Sequence, residues 1–197
     1  MRRYACGALF LSPYAGGGQV GVSLREATLT DVTTIRALIA ESAWGLSRAD
    51  YSDAQIEAAL QSAWGVDTQL IRDGTYFVAE CGGKVIACGG WSWRSTLFGG
   101  DAQAGRDSDA LDPTSDAARI RAFFVHPLWA RRGLAREMLE HCERNARAYG
   151  FRSAELVATL PGERLYRVCG YVSQGARKYA LPRIQTITFV PMRKERI

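Results

Sequence analysis

Arg131-Arg132-Gly133 stand where an apolar run, Ile120-Arg-Ala-Phe-Phe-Val125, gives way to an amphipathic stretch from Leu134 to Tyr149. Two guanidinium groups and a residue without a Cβ at such a junction suit one chemistry, the binding of phosphate oxygens. A strand that turns into a helix leaves the first helical N–H groups without backbone partners, at the positive end of the helix dipole, and anions gather there. Gly133 lets that backbone approach a phosphate closely, and arginine offers it a planar fork of donors. The turn carries neither the G-x-G-x-x-G of a dinucleotide site nor the G-x-x-x-x-G-K-[ST] of a nucleotide triphosphate site, so NAD and ATP are poor candidates.

The elements that must hold this turn follow from periodicity. Leu134, Met138, Leu139, Cys142, Ala146 and Tyr149 share one helical face, which is expected to dock on a sheet, while the arginines lie largely elsewhere. Upstream, Val22 to Thr28 alternates as a strand, and Thr30-Asp31 opens a helix carrying Val32, Ile35, Leu38 and Ile39. Ser52-Asp53 caps a second helix, and Cys81-Gly82-Gly83 joins strands Tyr76–Glu80 and Lys84–Trp93 into a hairpin. Residues 95–117 lack periodicity and read as a long surface loop of the kind that covers a site. Downstream come a strand over Arg152–Leu160, a short helix over Glu163–Val168, a strand from Tyr171 and a last strand over Ile184–Met192.

The bulk properties exclude several function classes. With 197 residues, 47% apolar and 23% charged, the chain suits one globular domain. Its net charge of +5 is dispersed and lacks aromatic–basic interleaving, which argues against nucleic acid as a partner. Five cysteines without a C-x-x-C, and two histidines, give no metal-ligand spacing, and free thiols fit the cytoplasm. Residues 1–21 read as a disordered extension, because their apolar run is short and ends in Ser12-Pro13. No apolar run is long enough to span a bilayer, so no membrane partner is expected.

This order of elements resembles the GNAT superfamily of acetyl-CoA-dependent N-acetyltransferases over roughly residues 22–194. Two motifs carry the likeness. Val125-His-Pro-Leu-Trp-Ala-Arg-Arg-Gly-Leu-Ala135 looks like the family's V-x-P-x-x-[QR]-x-x-G-x-[GA] turn, and Leu165-Tyr166-Arg-Val-Cys-Gly170-Tyr171 is similar to its L-Y-x-x-x-G-[FY]. Ala130 and Arg131 depart from the pattern, standing where the family usually has Gln or Arg and often Gly. The resemblance implies an α/β (α+β) fold over residues 22–197, a central mixed, mostly antiparallel sheet of six to seven strands flanked by about four helices.

It also implies a site. Acetyl-CoA would be the co-substrate, with no metal, held by Arg131, Arg132, Gly133, Leu134, Ala135 and Arg136. Backbone N–H groups at a bulge over Phe123, Phe124 and Val125 would face the thioester oxygen. Tyr166 is the expected general acid, since a phenol titrating near ~10 can serve a thiolate as basic as ~8.5. Glu155 is the expected base, with His126, Glu80 or water as alternatives. The implied activity is transfer of an acetyl group to a primary amine of a small molecule or peptide, in a chain that could form the homodimers common in the family. Trp44, Tyr51, Trp64, Trp91 and Trp93 are candidates for an aromatic acceptor pocket, and the loop aspartates for steering a cation. A non-catalytic acyl-CoA sensor, a protein N-terminal acetyltransferase and a nucleotide module unrelated to CoA stay open as alternatives.

Overall fold

The structure, a computed structural model, describes residues 21–103 and 108–197, so residues 1–20 of the expected extension and Asp107 lie outside the described residues. Among the described residues eight strands form one sheet: β1 (Val22–Glu26), β2 (Tyr76–Cys81), β3 (Lys84–Ser92), β4 (Ala118–Val125), β5 (Ala154–Thr159), β6 (Val172–Ser173), β7 (Arg177–Leu181) and β8 (Gln185–Lys194). The order is β1-β2-β3-β4-β5-β8, with β6 and β7 paired in turn to β8. Every pairing is antiparallel except β4 with β5.

Five α-helices flank the sheet among the described residues: α1 (Val32–Leu46), α2 (Asp53–Leu60), α3 (Thr68–Arg72), α4 (Leu134–Tyr149) and α5 (Leu160–Val168). The mixed, mostly antiparallel architecture is the one expected, with one more strand and one more helix. The added strand is β7, whose hairpin to β8 turns through Arg183 and Ile184 at φ 59° and 60°. That left-handed turn holds no glycine or asparagine to mark it in the sequence. The added helix, α3, is too short for periodicity and depends on Asp67, whose carboxylate accepts the Gln69 N–H at its N-cap.

A side chain's strand face decides which of two cores it joins. On β2, Tyr76 and Val78 join Ile35, Ile39, Ile56 and Ile187 under α1 and α2, whereas Phe77 and Ala79 join Met138, Leu139, Cys142, Leu156 and Met192 under α4. The α4 stripe docks as expected up to Ala146. Tyr149 does not: it is 53% exposed and stacks on Trp93, 6.1 Å between ring centroids, beside the end of β3. Glu143 takes an interior position instead, because Lys194 of β8 meets its carboxylate at 2.7 Å.

Candidate active site

Strands β4 and β5 share two rungs, Ala118 with Ala154 and Arg119 with Glu155, and then part. Into the gap opens a cavity of about 670 Å³, lined from β4 by residues 120–125 and from β5 by Val157, Ala158 and Thr159. At one end it is bordered by Arg131 and Gly133 to Arg136, at the other by Trp64, Phe98 and Phe189.

β4 carries a bulge at Ala122 and Phe123, at the start of the expected Phe123–Val125 stretch. The β3 partner of Phe124 is Cys88 and that of Arg121 is Gly90, so two β4 residues face a single β3 position. Ala122 accommodates the extra residue at φ 56°. Gly89 provides the room: a Cβ there would come within 2.8 Å of the Phe123 ring. Beyond the bulge the Val125 N–H turns away from β3 and donates to the Ser42 hydroxyl of α1 at 3.3 Å. Ser42 is a cavity residue that no local pattern announced, since it lies 83 positions from its partner.

The turn that follows is built by its own side chains. His126 ends the strand and accepts the Leu128 N–H on Nδ1 at 3.1 Å, starting a single 3₁₀ turn over Pro127–Trp129. His126 is therefore a turn residue, with its Nε2 3.4 Å from the exposed Glu41. Arg131 and Gly133 then take left-handed conformations, at φ 64° and 86°, which swing the chain into α4. No side chain caps α4, and its first backbone bond is the Glu137 N–H to the Gly133 carbonyl. The amides of Leu134, Ala135 and Arg136 thus remain open at the positive end of a 16-residue helix. Arg132 lies over the Trp129 ring, 5.2 Å from its centroid, and Arg136 pairs with Glu140.

Tyr166 lines the same cavity from α5. Its ring packs edge-on against Tyr171 at 5.8 Å, and burial pushes its phenol well above the ordinary range, so it stays protonated. Thr159 caps α5 by accepting the Gly162 N–H, and Tyr51 fixes the helix start: its hydroxyl accepts the Leu160 N–H at 2.8 Å and donates to the Thr188 carbonyl.

Glu155 is not brought to the cavity with the others. It sits at the second β4–β5 rung, where its carboxylate is ion-paired with Arg119 and, at 3.4 Å, with Arg193. Glu80 is likewise engaged, with Arg25 at 2.7 Å. Of the expected aromatic residues, Trp64 lines the cavity, Tyr51 is the α5 anchor, Trp44 lies beneath Arg48, and Trp91 and Trp93 pack with Tyr149. Phe98 and Phe189 complete the aromatic end and were missed, because neither stands in a motif. Among the described residues, no cluster of three or more His, Cys, Asp or Glu could hold a metal ion.

The sequence model of the acetyltransferase (GNAT) family matches residues 37–171, which span α1 through Tyr171. The chain belongs to the GNAT family of acetyltransferases. It is an acyltransferase by that membership. The structure is similar to a GCN5-related N-acetyltransferase from Rhodopseudomonas palustris, with TM-score 0.66 and 17% identity over 96% of this chain and 99% of that one. It is similar to the PaiA N-acetyltransferase of Thermoplasma acidophilum in complex with coenzyme A, with TM-score 0.58 and 11% identity over 88% and 98%. It also resembles YncA of Salmonella typhimurium, an acetyltransferase solved with its cofactor acetyl-CoA, with TM-score 0.57 and 16% identity over 88% and 93%. No curated protein matches the chain by sequence. No helix among the described residues is long and apolar enough to cross a membrane.

Proposed function

We propose that this GNAT acetyltransferase moves an acetyl group from acetyl-CoA to the nitrogen of a primary amine, in a small molecule or peptide. The observation that carries the reading is a single cavity that joins the open N-terminus of α4, the β4 bulge and the Tyr166 phenol. Each borders a different part of one ligand. The amides of Leu134, Ala135 and Arg136 and the exposed Arg131 and Arg132 suit the pyrophosphate of acetyl-CoA. A bulge amide at Phe123 or Phe124 suits the thioester oxygen, whose negative charge grows as nitrogen attacks, and the Val125 N–H can join it only by leaving Ser42. The Tyr166 hydroxyl, kept protonated by burial, suits the departing sulfur.

The general base is assigned to water in the cleft, since Glu155 is shared between two guanidinium groups outside the cavity. The thiols of Cys88, Cys142 and Cys169 are free, and the reading takes the cytoplasm as the compartment. Titration calorimetry with CoA, and thiol release from acetyl-CoA over an amine panel, test the reading together. Saturable binding with amine-dependent thiol release is the expected result. Folded protein that takes up no CoA would overturn it, and binding without turnover on any amine would favour the acyl-CoA sensor.

A further inference from the structure

The acceptor end of the cavity has a definite chemistry. Trp64, Phe98 and Phe189 wall it, with ring centroids of Trp64 and Phe98 at 6.3 and 6.0 Å from that of Phe189. Among the described residues, the ionisable side chains lining the whole cavity are Arg121, Arg131, Arg136, Arg164 and Tyr166: four cations and a phenol. Arg121, the cation at the aromatic end, is 2.7 Å from the carboxylate of Asp67, the two side chains being 4% and 0% exposed, and it donates to the Gly99 carbonyl. Its charge is met inside the wall, by a carboxylate that does not border the cavity.

We infer that the acceptor is a flat, weakly basic aromatic amine that reaches the thioester uncharged and lies against Trp64, Phe98 and Phe189; the inference rests on the acetyl-transfer reading above. Proton counting carries it. When a neutral amine attacks the carbonyl carbon, an N–C bond forms and the C–S bond breaks. The nitrogen sheds one proton and the CoA sulfur takes one up, so the reaction closes without an outside base. An ammonium acceptor must lose a further proton first, and with none of the five ionisable groups on the cavity wall accepting one at neutral pH, only cleft water, a weak base, is left to take it. Among the described residues no carboxylate lines the cavity to attract a cation. An alkylamine with the basicity of lysine is neutral in only about one molecule in 2,500 at pH 7. An aromatic amine, its lone pair shared with the ring, is neutral throughout the physiological range, and its ring matches the three that wall the site.

Two isomers separate basicity from shape: 4-methylaniline and benzylamine have the same formula and nearly the same apolar surface. The full chain with acetyl-CoA should acetylate 4-methylaniline with kcat/KM at least tenfold above benzylamine and spermidine at pH 7. The profile for 4-methylaniline should be flat from pH 6 to 9, while that for benzylamine climbs about tenfold per pH unit as the free base appears. Phe98→Ala should lower kcat/KM for 4-methylaniline tenfold or more in protein that remains folded at the assay temperature, with the KM for acetyl-CoA little changed. Preference for benzylamine, spermidine or phenylalanine, or an unaltered kcat/KM in Phe98→Ala, would overturn the inference while leaving acetyl transfer intact. Bound CoA with no thiol release to any amine is a different result, and would overturn the transferase reading and this inference together.

Discussion

Replacing Arg131 with glycine should make the protein more stable and bind acetyl-CoA less tightly. Arg131 holds φ at 64°, where a Cβ crowds the following carbonyl and costs roughly 1–2 kcal/mol. Glycine removes that strain but gives the unfolded chain extra freedom worth about 0.4–1 kcal/mol. The balance is a gain of about 0.5–1 kcal/mol, or a melting temperature raised by about 1–4 °C in a chain of this size. The exposed Arg131 side chain appears in none of the ion pairs or hydrogen bonds of the described residues, so folding loses nothing with it. Binding does lose: one charge-assisted contact to a phosphate contributes about 1.5–3 kcal/mol, a 10- to 150-fold weaker Kd. The amides of Leu134, Ala135 and Arg136 survive the change, so binding should weaken and not vanish. Urea denaturation and titration calorimetry read the two quantities separately. A lower urea midpoint would refute the strain argument, and an unchanged Kd would show that the backbone alone grips the pyrophosphate. Gly133→Ala is the mirror image. A Cβ there meets no atom within 4 Å, so only the φ of 86° is penalised, and stability should fall by about 1–2 kcal/mol.

Tyr166→Phe should lower kcat by about a hundredfold, the loss of one general acid, with the calorimetric Kd for CoA within about threefold of wild type; an unchanged kcat would remove the role. Glu155→Gln should leave kcat within a few fold while lowering the urea midpoint, because Arg119 and Arg193 lose a shared carboxylate; a collapse of kcat without destabilisation would restore Glu155 as the base. Arg121→Met removes one half of the buried Arg121–Asp67 ion pair and should cost about 3–5 kcal/mol in the same assay, and a neutral outcome would mean the pair is not closed inside the wall. Alkali should destabilise the fold. Burial pushes Tyr51 and Cys88 up to about 12 and raises Tyr76, Tyr166 and Tyr171 as well, whereas unfolded phenols and thiols titrate near ~10 and ~8.5. The native state therefore holds more protons than the unfolded one above pH ~8.5, so stability is full below that pH and declines as pH rises toward 12. A urea midpoint that stays level or climbs from pH 8.5 to 11 would contradict this.

How much of the site the sequence could disclose depended on how local its cause was. The strand–turn–helix unit was legible because apolar periodicity, a glycine and two arginines fall within 30 consecutive residues. His126 was legible as a turn residue for the same reason, being the neighbour of Pro127. Tyr149 was misplaced because its spacing fits the α4 stripe, yet at the last turn of the helix it meets Trp91, Trp93 and Phe151 and stays half exposed. Ser42, Phe98 and Phe189 meet at one cavity from α1, a loop and β8, and nothing in their own neighbourhoods records that meeting. The surroundings of Glu155 were hidden for a related reason. Its position in the chain matches a catalytic carboxylate, but its partners are set by which strands lie on either side of β5, and both neighbours present an arginine at that rung.

That rung explains why the cleft exists. On their other edges β4 pairs with β3 out to Val125 and β5 pairs with β8 along its whole length, so each strand is held firmly on one side. Toward each other they are joined for two residues only, and the Arg119–Glu155 ion pair closes the last joined position. Past it, the extra residue at Ala122 turns the β4 edge, and the facing backbone groups have no strand to satisfy them. The Val125 amide finds a hydroxyl, Ser42, in place of a neighbouring carbonyl. An opening of this kind is costly to leave empty and well suited to an extended ligand carrying amide groups of its own, as the pantetheine arm of acetyl-CoA does. In the reading proposed above, the bulge that parts the strands would turn main-chain donors toward one end of that ligand, and the left-handed pair Arg131 and Gly133 would turn the α4 amides toward the other. Glu155, expected from the sequence to take a proton, is the residue that pins the apex from which both arrangements diverge.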